Sequence, residues 1–326
     1  MTKAPSSMKA QAHIYNSAID LGRLVAAFGI VLAHAAPDEF GLIGQISLSF
    51  FVVLTGFLAG KSFLRARGDY IWSRRVARLI IPLALGWVLF FAVAWRVDDA
   101  HDPFAWLTSG WSLLSGPAYH LWFLPFLMAA AALVRPIGRF VIPDTNSCDD
   151  ITGDVAGSRR LTIALILLVA GSFPLFRLHY DELIPRPLAQ WAVVMPMFVW
   201  GLLWSLATDR RGAVQVTLAM AGITLCAVLA TRGQELWAWA LPLSEILVLA
   251  LWRLPLRGPG WAWMGAMAFG IYLIHPLALL VGYKLFGAAI NPVALGLFGC
   301  LSSGLAVAMA RHMPRPLRLA RNPRAD

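Results

Sequence analysis

The sequence predicts an all-α membrane protein, a polytopic bundle of about ten transmembrane helices with both termini in the cytoplasm. Three observations support this prediction. Hydrophobic residues make up 59% of the 326 residues and charged residues only 13%, whereas about a quarter of the residues in a typical soluble domain are charged. The apolar residues lie in stretches long enough to cross a bilayer. Most of the basic residues lie between those stretches.

Ten stretches reach the length of about 20 mostly apolar residues that a helix needs to span the hydrocarbon core. Because lipid offers the backbone no hydrogen-bond partners, we expect these stretches to be helical. The predicted spans are 17–36, 42–60, 79–97, 119–141, 161–177, 188–207, 214–231, 236–252, 261–283 and 290–310.

The remaining segments are predicted to lie outside the membrane. Residues 17–310 would form the transmembrane domain, with cytoplasmic tails at residues 1–16 and 311–326. The polar segment 142–160, rich in Asp and Asn, is predicted to be a cytoplasmic loop of turn-forming residues. The basic C-terminal tail suits contact with the anionic lipids of a cytoplasmic leaflet.

The basic residues also predict the orientation of the spans. With the N-terminus in the cytoplasm, 21 of the 27 Lys and Arg residues fall on the cytoplasmic side, five fall outside, and Arg23 lies within a span. The positive-inside rule describes such an excess. The formal charge of +10 therefore reflects membrane topology, and no nucleic-acid partner is expected, because no basic patch is interleaved with aromatic residues.

The three cysteines predict neither a disulfide framework nor a metal site. Cys148, Cys226 and Cys300 lie far apart in the chain, and two of them are inside apolar stretches. The histidines have no carboxylate or cysteine companions at the spacing of metal ligands. No metal and no permanently bound cofactor is expected.

The first span carries ionisable residues, which are costly inside a membrane and often mark function. Asp20 and Arg23 are three residues apart and so share a helix face. His34 follows Arg23 by eleven residues, about 16 Å along the helix axis, on the same face. In the predicted orientation Arg23 lies in the inner half of the span and His34 near its outer end. A structural Asp–Arg pair and an interfacial histidine would explain the segment equally well.

A second group of charges precedes the third span. Arg75 and Arg78 are spaced to point the same way on a helix, and paired guanidinium groups suit the binding of phosphate. The alternative is a basic loop that only sets topology.

Further polar residues are predicted to lie in the outer half or the middle of the membrane. His120 and His275 fall at a depth similar to that of His34, so the three histidines are expected to surround one pocket, although single histidines there often only join helices by hydrogen bonds. Glu245 lies in the middle of its span and needs a partner, either Arg23 or a histidine. It is either structural or part of an acid–base couple.

Five short motifs occur in order along nearly the whole chain. They are Asp20-x-x-Arg23 with His34, the segment Phe50–Leu58 (FFVVLTGFL), Arg75-x-x-Arg78 with Leu79 and Pro82, His120-Leu-Trp122-Phe-Leu124, and Ile271-Tyr272-Leu-Ile-His275. Together they resemble the motifs of the integral-membrane acyltransferase family 3, which O-acylates bacterial surface glycans and related molecules. Thr55 and Ala268 stand where serine is usual in that family, and neither change is expected to be disabling.

The resemblance implies transfer of an acyl group, usually acetyl, from cytoplasmic acetyl-CoA to a sugar hydroxyl at or beyond the outer leaflet of the cell inner membrane. It implies that His34 is the general base, since imidazole titrates near neutrality. Arg23 would hold the donor or stabilise the oxyanion. Arg75 and Arg78 would bind the CoA phosphates.

Five more residues are candidates for substrate binding: His120, Trp122, Glu245, Tyr272 and His275. Because the chain shows no fused extracytoplasmic domain, it resembles the standalone type of the family. That type would act directly on a lipid-linked or exported glycan or would use a separate periplasmic partner. A transporter or flippase of a glycan-related substrate is the alternative, but such proteins often contain internal repeats, and none is visible.

Overall fold

The computed structural model describes residues 17–66, 72–97, 104, 107, 109–142, 150–207, 209–254, 256, 259–287 and 289–312. These residues form ten α-helices and two short 3₁₀ helices, Gly110–Leu114 and Tyr119–Trp122, with no β-strand among them. The α-helices are α1 (Ser17–Ala35), α2 (Pro37–Arg65), α3 (Trp72–Val97), α4 (Phe123–Val141), α5 (Asp150–Tyr180), α6 (Leu188–Leu206), α7 (Arg210–Thr231), α8 (Leu236–Arg253), α9 (Pro259–Phe286) and α10 (Pro292–His312).

Ten helices of the described chain are long and apolar enough to cross a membrane, which confirms the ten predicted spans. Several helices extend beyond those spans. The prediction of a loop over 142–160 is wrong from Asp150 onward, because α5 begins there. A helix needs apolar side chains only where it crosses lipid, so polar turns can continue the same helix into water. The predicted tails lie outside the described residues, except for the last two residues of α10.

The chain forms two compact units, residues 1–40 with 256–326 and residues 41–255. In the first unit, α1 packs against α9 and α10, which also pack against each other. Small residues make this packing close. A Cβ atom added to Gly299 would lie 2.5 Å from the Leu279 side chain, and one added to Gly296 would lie 2.8 Å from Leu32. Glycines at helix contacts are typical of membrane bundles.

In the second unit, α5 packs against α6 and α7, and α4 packs against α3, α5 and α6. Two glycines bring the backbones of α2 and α6 together. A Cβ atom on Gly56 would overlap the carbonyl oxygen of Phe198, and one on Gly201 would overlap the carbonyl oxygen of Val53. The motif FFVVLTGFL therefore supplies a helix–helix contact in which Gly56 has no room for a side chain.

The surface of α3 is strongly apolar. Ile81 is 63% exposed, Leu85 64% and Val88 69%. Soluble monomers rarely expose large contiguous apolar patches, whereas lipid accepts them at no cost. This exposed face supports the membrane-spanning interpretation of α3.

Candidate functional site

Two histidines meet in the first unit. His34 lies at the end of α1 and His275 in α9, and their rings stack with centroids 5.0 Å apart and planes inclined by 30°. His275 is fully buried, whereas His34 is exposed. Two of the three histidines predicted to surround one pocket therefore lie side by side. His120 belongs to the second unit, and the pocket shared by all three stays a prediction.

The buried ring is held in one orientation by the backbone of its own helix. Nδ1 of His275 lies 2.7 Å from the carbonyl oxygen of Tyr272. Because a carbonyl oxygen only accepts hydrogen bonds, Nδ1 must carry the hydrogen, and Nε2 is left as the acceptor of the neutral ring. Tyr272 is also buried, with 6% of its surface exposed. The late motif Ile271–His275 therefore fixes both the tautomer and the direction of this imidazole.

The sequence of α1 explains how its histidine reaches α9. Ile30 and Val31 are buried one helical turn before His34. At the end of the helix, the exposed His34 ring reaches His275 of α9. Two glycines, Gly22 and Gly29, lie among the buried residues of the same helix. Small residues along this face let the neighbouring helices approach closely.

An ion pair lies farther down the same helix. Nη1 of Arg23 is 3.3 Å from Oδ1 of Asp20. Asp20 is buried at 7% exposure, while Arg23 keeps part of its surface exposed. The shared face expected from their spacing is confirmed. The structure adds a residue that the sequence did not single out, since a Cβ atom on Gly265 of α9 would overlap the Asp20 carboxylate. The sequence signal that could have identified this contact is the presence of a glycine, Gly265, in a membrane span, because a glycine leaves room for a polar side chain of a neighbouring helix.

The two predicted phosphate-binding arginines lie in the first turns of α3, in the second unit. Nη2 of Arg75 donates a hydrogen bond to Oγ of Ser62 on α2, at 2.6 Å, and Arg78 is exposed. Nε1 of Trp72 donates to the carbonyl oxygen of Met128, at 2.8 Å, which ties the start of α3 to α4. Arg75 thus turns towards α2, and a shared face of the two guanidinium groups stays a prediction from their spacing.

The central motif lies at the entrance to α4. His120 is buried in the 3₁₀ helix Tyr119–Trp122, and its ring packs edge-on against Phe90 at 4.9 Å. Trp122 is buried and packs against Phe123 and Phe126. The structure gives both residues a place in aromatic packing of the second unit, and their role in substrate binding stays a prediction.

Glu245 is fully buried on α8. Neither carboxyl oxygen hydrogen-bonds to a described residue of the second unit. Arg23, which the sequence offered as a partner, pairs with Asp20 within the first unit, and its pairing with Glu245 stays a prediction. Burying a carboxyl group without a hydrogen-bond partner costs free energy. The substrate-binding role expected of Glu245 stays a prediction.

No metal centre is apparent in the described part of the chain, where no three His, Cys, Asp or Glu side chains are grouped to hold an ion. The first unit carries a stacked imidazole pair at the end of α1. An arginine–aspartate pair lies about 16 Å away along that helix. In the first unit a base and a cationic group therefore lie on one helix, and acyl transfer uses both kinds of group. In the second unit, an exposed and a half-buried arginine lie at the start of α3.

Comparison with known proteins identifies the family. A family model described as an acyltransferase domain, that of acyltransferase family 3, matches residues 16–311, which is most of the chain. Neither a curated protein nor a solved structure matches the chain. The match spans all ten membrane helices and both histidines of the stacked pair. The chain therefore belongs to acyltransferase family 3 and is a multi-pass membrane acyltransferase.

Proposed function

We propose that this protein transfers an acyl group, most simply acetyl, from cytoplasmic acyl-CoA to a hydroxyl group of a surface or exported glycan in the cell inner membrane. The observation that carries the proposal is the stacked pair of His34 and His275. One ring of this pair is exposed and the other is fixed by a backbone hydrogen bond. A base that must reach an incoming hydroxyl needs such an accessible, oriented imidazole.

The reaction follows from these groups. His34 removes the proton from the acceptor hydroxyl while the oxygen attacks the thioester carbonyl carbon. A carbon–oxygen bond forms, the carbon–sulfur bond breaks, and the departing CoA sulfur takes the proton from the imidazolium. The acyl group has then moved from CoA to the acceptor, and the proton has moved from the acceptor to CoA. The reaction therefore needs no permanently bound cofactor. Buried His275, stacked on His34, acts as a positioning residue because it restricts the rotation of the catalytic ring.

Cationic groups supply the remaining requirements. The guanidinium of Arg23 is partly exposed beside Asp20. Because it lies about 16 Å along the helix axis from His34, it would hold the donor and would not contact the carbonyl oxygen at the base. Arg75 and Arg78 would bind the phosphates of CoA at the predicted cytoplasmic face. The donor would thus be bound from one side of the membrane, while the acceptor approaches His34 from the other.

Acyl transfer by the purified protein tests the proposal. We expect protein in lipid nanodiscs to move radiolabel from [¹⁴C]acetyl-CoA onto the surface glycan of a strain in which its gene is deleted. The label should be released by mild base, as an ester is. A transporter would instead leave the glycan unlabelled, and unlabelled glycan in the presence of folded protein would contradict the proposal.

A further inference from the structure

A cavity of about 500 Å³ opens at one end of the second unit. Its polar lining comes from three places in the chain: His179 and Tyr180 at the end of α5, Glu182 and Arg186 in the α5–α6 connection, and Glu235 before α8. The volume lies within the range of about 300 to 1,000 Å³ that small-molecule sites occupy. The charge distribution of the sequence predicts that this end of the unit faces outward.

The walls of the cavity are tied together by hydrogen bonds between distant segments. Oη of Tyr180 donates to Oε1 of Gln234, at 2.9 Å, and Nη1 of Arg177 donates to the carbonyl oxygen of Ala230, at 2.9 Å. His179 packs edge-on against Trp237 with ring centroids 5.5 Å apart. These contacts join the end of α5 to the end of α7, the α7–α8 connection and the start of α8, so the cavity is largely pre-formed.

Glu182, which lines the cavity, has a backbone conformation that glycine adopts more readily than other residues. Its φ angle is 54°, in the left-handed region. The backbone there ends α5 with a hydrogen bond from the Leu183 N–H to the Leu178 carbonyl oxygen, at 3.0 Å, a common helix-terminating arrangement in which glycine is usual. Such backbone strain in a residue with a side chain is concentrated at functional sites.

Glu235 is likewise not used to cap the helix that it precedes. It is the N-cap residue of α8, yet its side chain makes no capping hydrogen bond. Instead the side chain lines the cavity, and the charges of Glu182, Arg186 and Glu235 all lie near His179. The lining therefore combines two carboxylates, one guanidinium, an imidazole and a phenol.

We propose that this cavity binds a neutral, hydroxyl-rich sugar segment of the acyl acceptor, an inference that rests on the proposed function. Carboxylates accept hydrogen bonds from sugar hydroxyls, and Arg186 can donate to hydroxyl and ring oxygens. Oη of Tyr180 gives its hydrogen to Gln234 and can accept from a further sugar hydroxyl. Two carboxylates against one guanidinium disfavour a phosphate-bearing ligand such as the CoA donor. The site therefore selects the acceptor and not the donor.

Kinetics with the double variant Glu182→Gln/Glu235→Gln test this assignment, because glutamine preserves side-chain size while removing the charge. We expect the KM for deletion-strain glycan to rise about tenfold, because both glutamine oxygens still accept hydrogen bonds but lack the charge that strengthens them. The KM for acetyl-CoA should stay within about twofold. Asp181→Asn is the matched control: it removes a charge from the same turn, but Asp181 pairs with Arg177 and does not line the cavity. An unchanged glycan KM in the double variant overturns the inference.

A binding measurement separates failure of this inference from failure of the proposed function. Saturation-transfer NMR would use the neutral oligosaccharides released from the same glycan, and the same oligosaccharides oxidised to carboxylates. We expect signal from the neutral probe with wild-type protein, and a weaker signal both with the double variant and with the oxidised probe. If the wild type binds the neutral probe but transfers no acyl group, the proposed function fails alone. If transfer proceeds but the double variant binds as the wild type does, only the sugar site is refuted.

Discussion

Replacing His34 with alanine is expected to reduce acyl transfer by about a hundred- to ten-thousand-fold, the contribution typical of a general base. The loss should fall on kcat, with acetyl-CoA binding retained, because the imidazole acts on the acceptor hydroxyl and not on the donor phosphates. Single-turnover transfer to deletion-strain glycan, with donor binding measured in parallel, checks both statements.

Two further observations separate catalysis from packing at this position. His34 is exposed, so its truncation should leave the thermal unfolding temperature nearly unchanged. Its exposure should also let added imidazole restore part of the activity of His34→Ala. His34→Gln, which keeps the size of the side chain but is not a proton acceptor, should be as inactive as the alanine variant. Normal transfer by either variant would exclude His34 as the base.

Removing Arg75 and Arg78 together is expected to raise the KM for acetyl-CoA by about a hundredfold, since each charge-assisted contact with phosphate contributes on the order of 1.5–3 kcal/mol before solvent screening. The KM for the glycan should change little. Initial rates of transfer at varied acetyl-CoA concentration provide the measurement.

The chain offers two matched controls for this variant. Arg74→Ala removes an exposed charge from the same helical turn, and we expect it to behave nearly as the wild type. Ser62→Ala removes the hydroxyl to which Arg75 donates at 2.6 Å and should have a smaller effect than loss of the arginine. If Arg74→Ala raises the donor KM as much as the double variant does, the basic segment acts only through its total charge.

The membrane helices could be predicted because each span is one continuous run of apolar side chains in the sequence. The same logic failed at polar helix ends. Residues from Asp150 to the first apolar turn of α5 read as a loop, although they continue a helix. Hydrophobicity reports where a helix meets lipid, whereas helix length also depends on backbone hydrogen bonds that polar residues form equally well.

The candidate site could be predicted only in part. The Asp20–Arg23 pair follows from spacing on one helix, and the similar depth of His34 and His275 follows from the predicted orientation. Their stacking depends on how α1 packs against α9, which is determined by small residues spread along both helices. The cavity in the second unit was missed because its residues come from connections about fifty positions apart, where no periodic pattern links Glu182 to Glu235.

The most direct test of transmembrane acyl transfer uses sealed membrane vesicles of known orientation. Inside-out vesicles carrying the protein would be loaded with deletion-strain glycan and given [¹⁴C]acetyl-CoA in the outer medium, where their cytoplasmic face is exposed. We expect base-labile label to accumulate on the enclosed glycan, and none when right-side-out vesicles receive the same outer donor. Label that appears only when donor and glycan share one side of the membrane would contradict transfer across the bilayer.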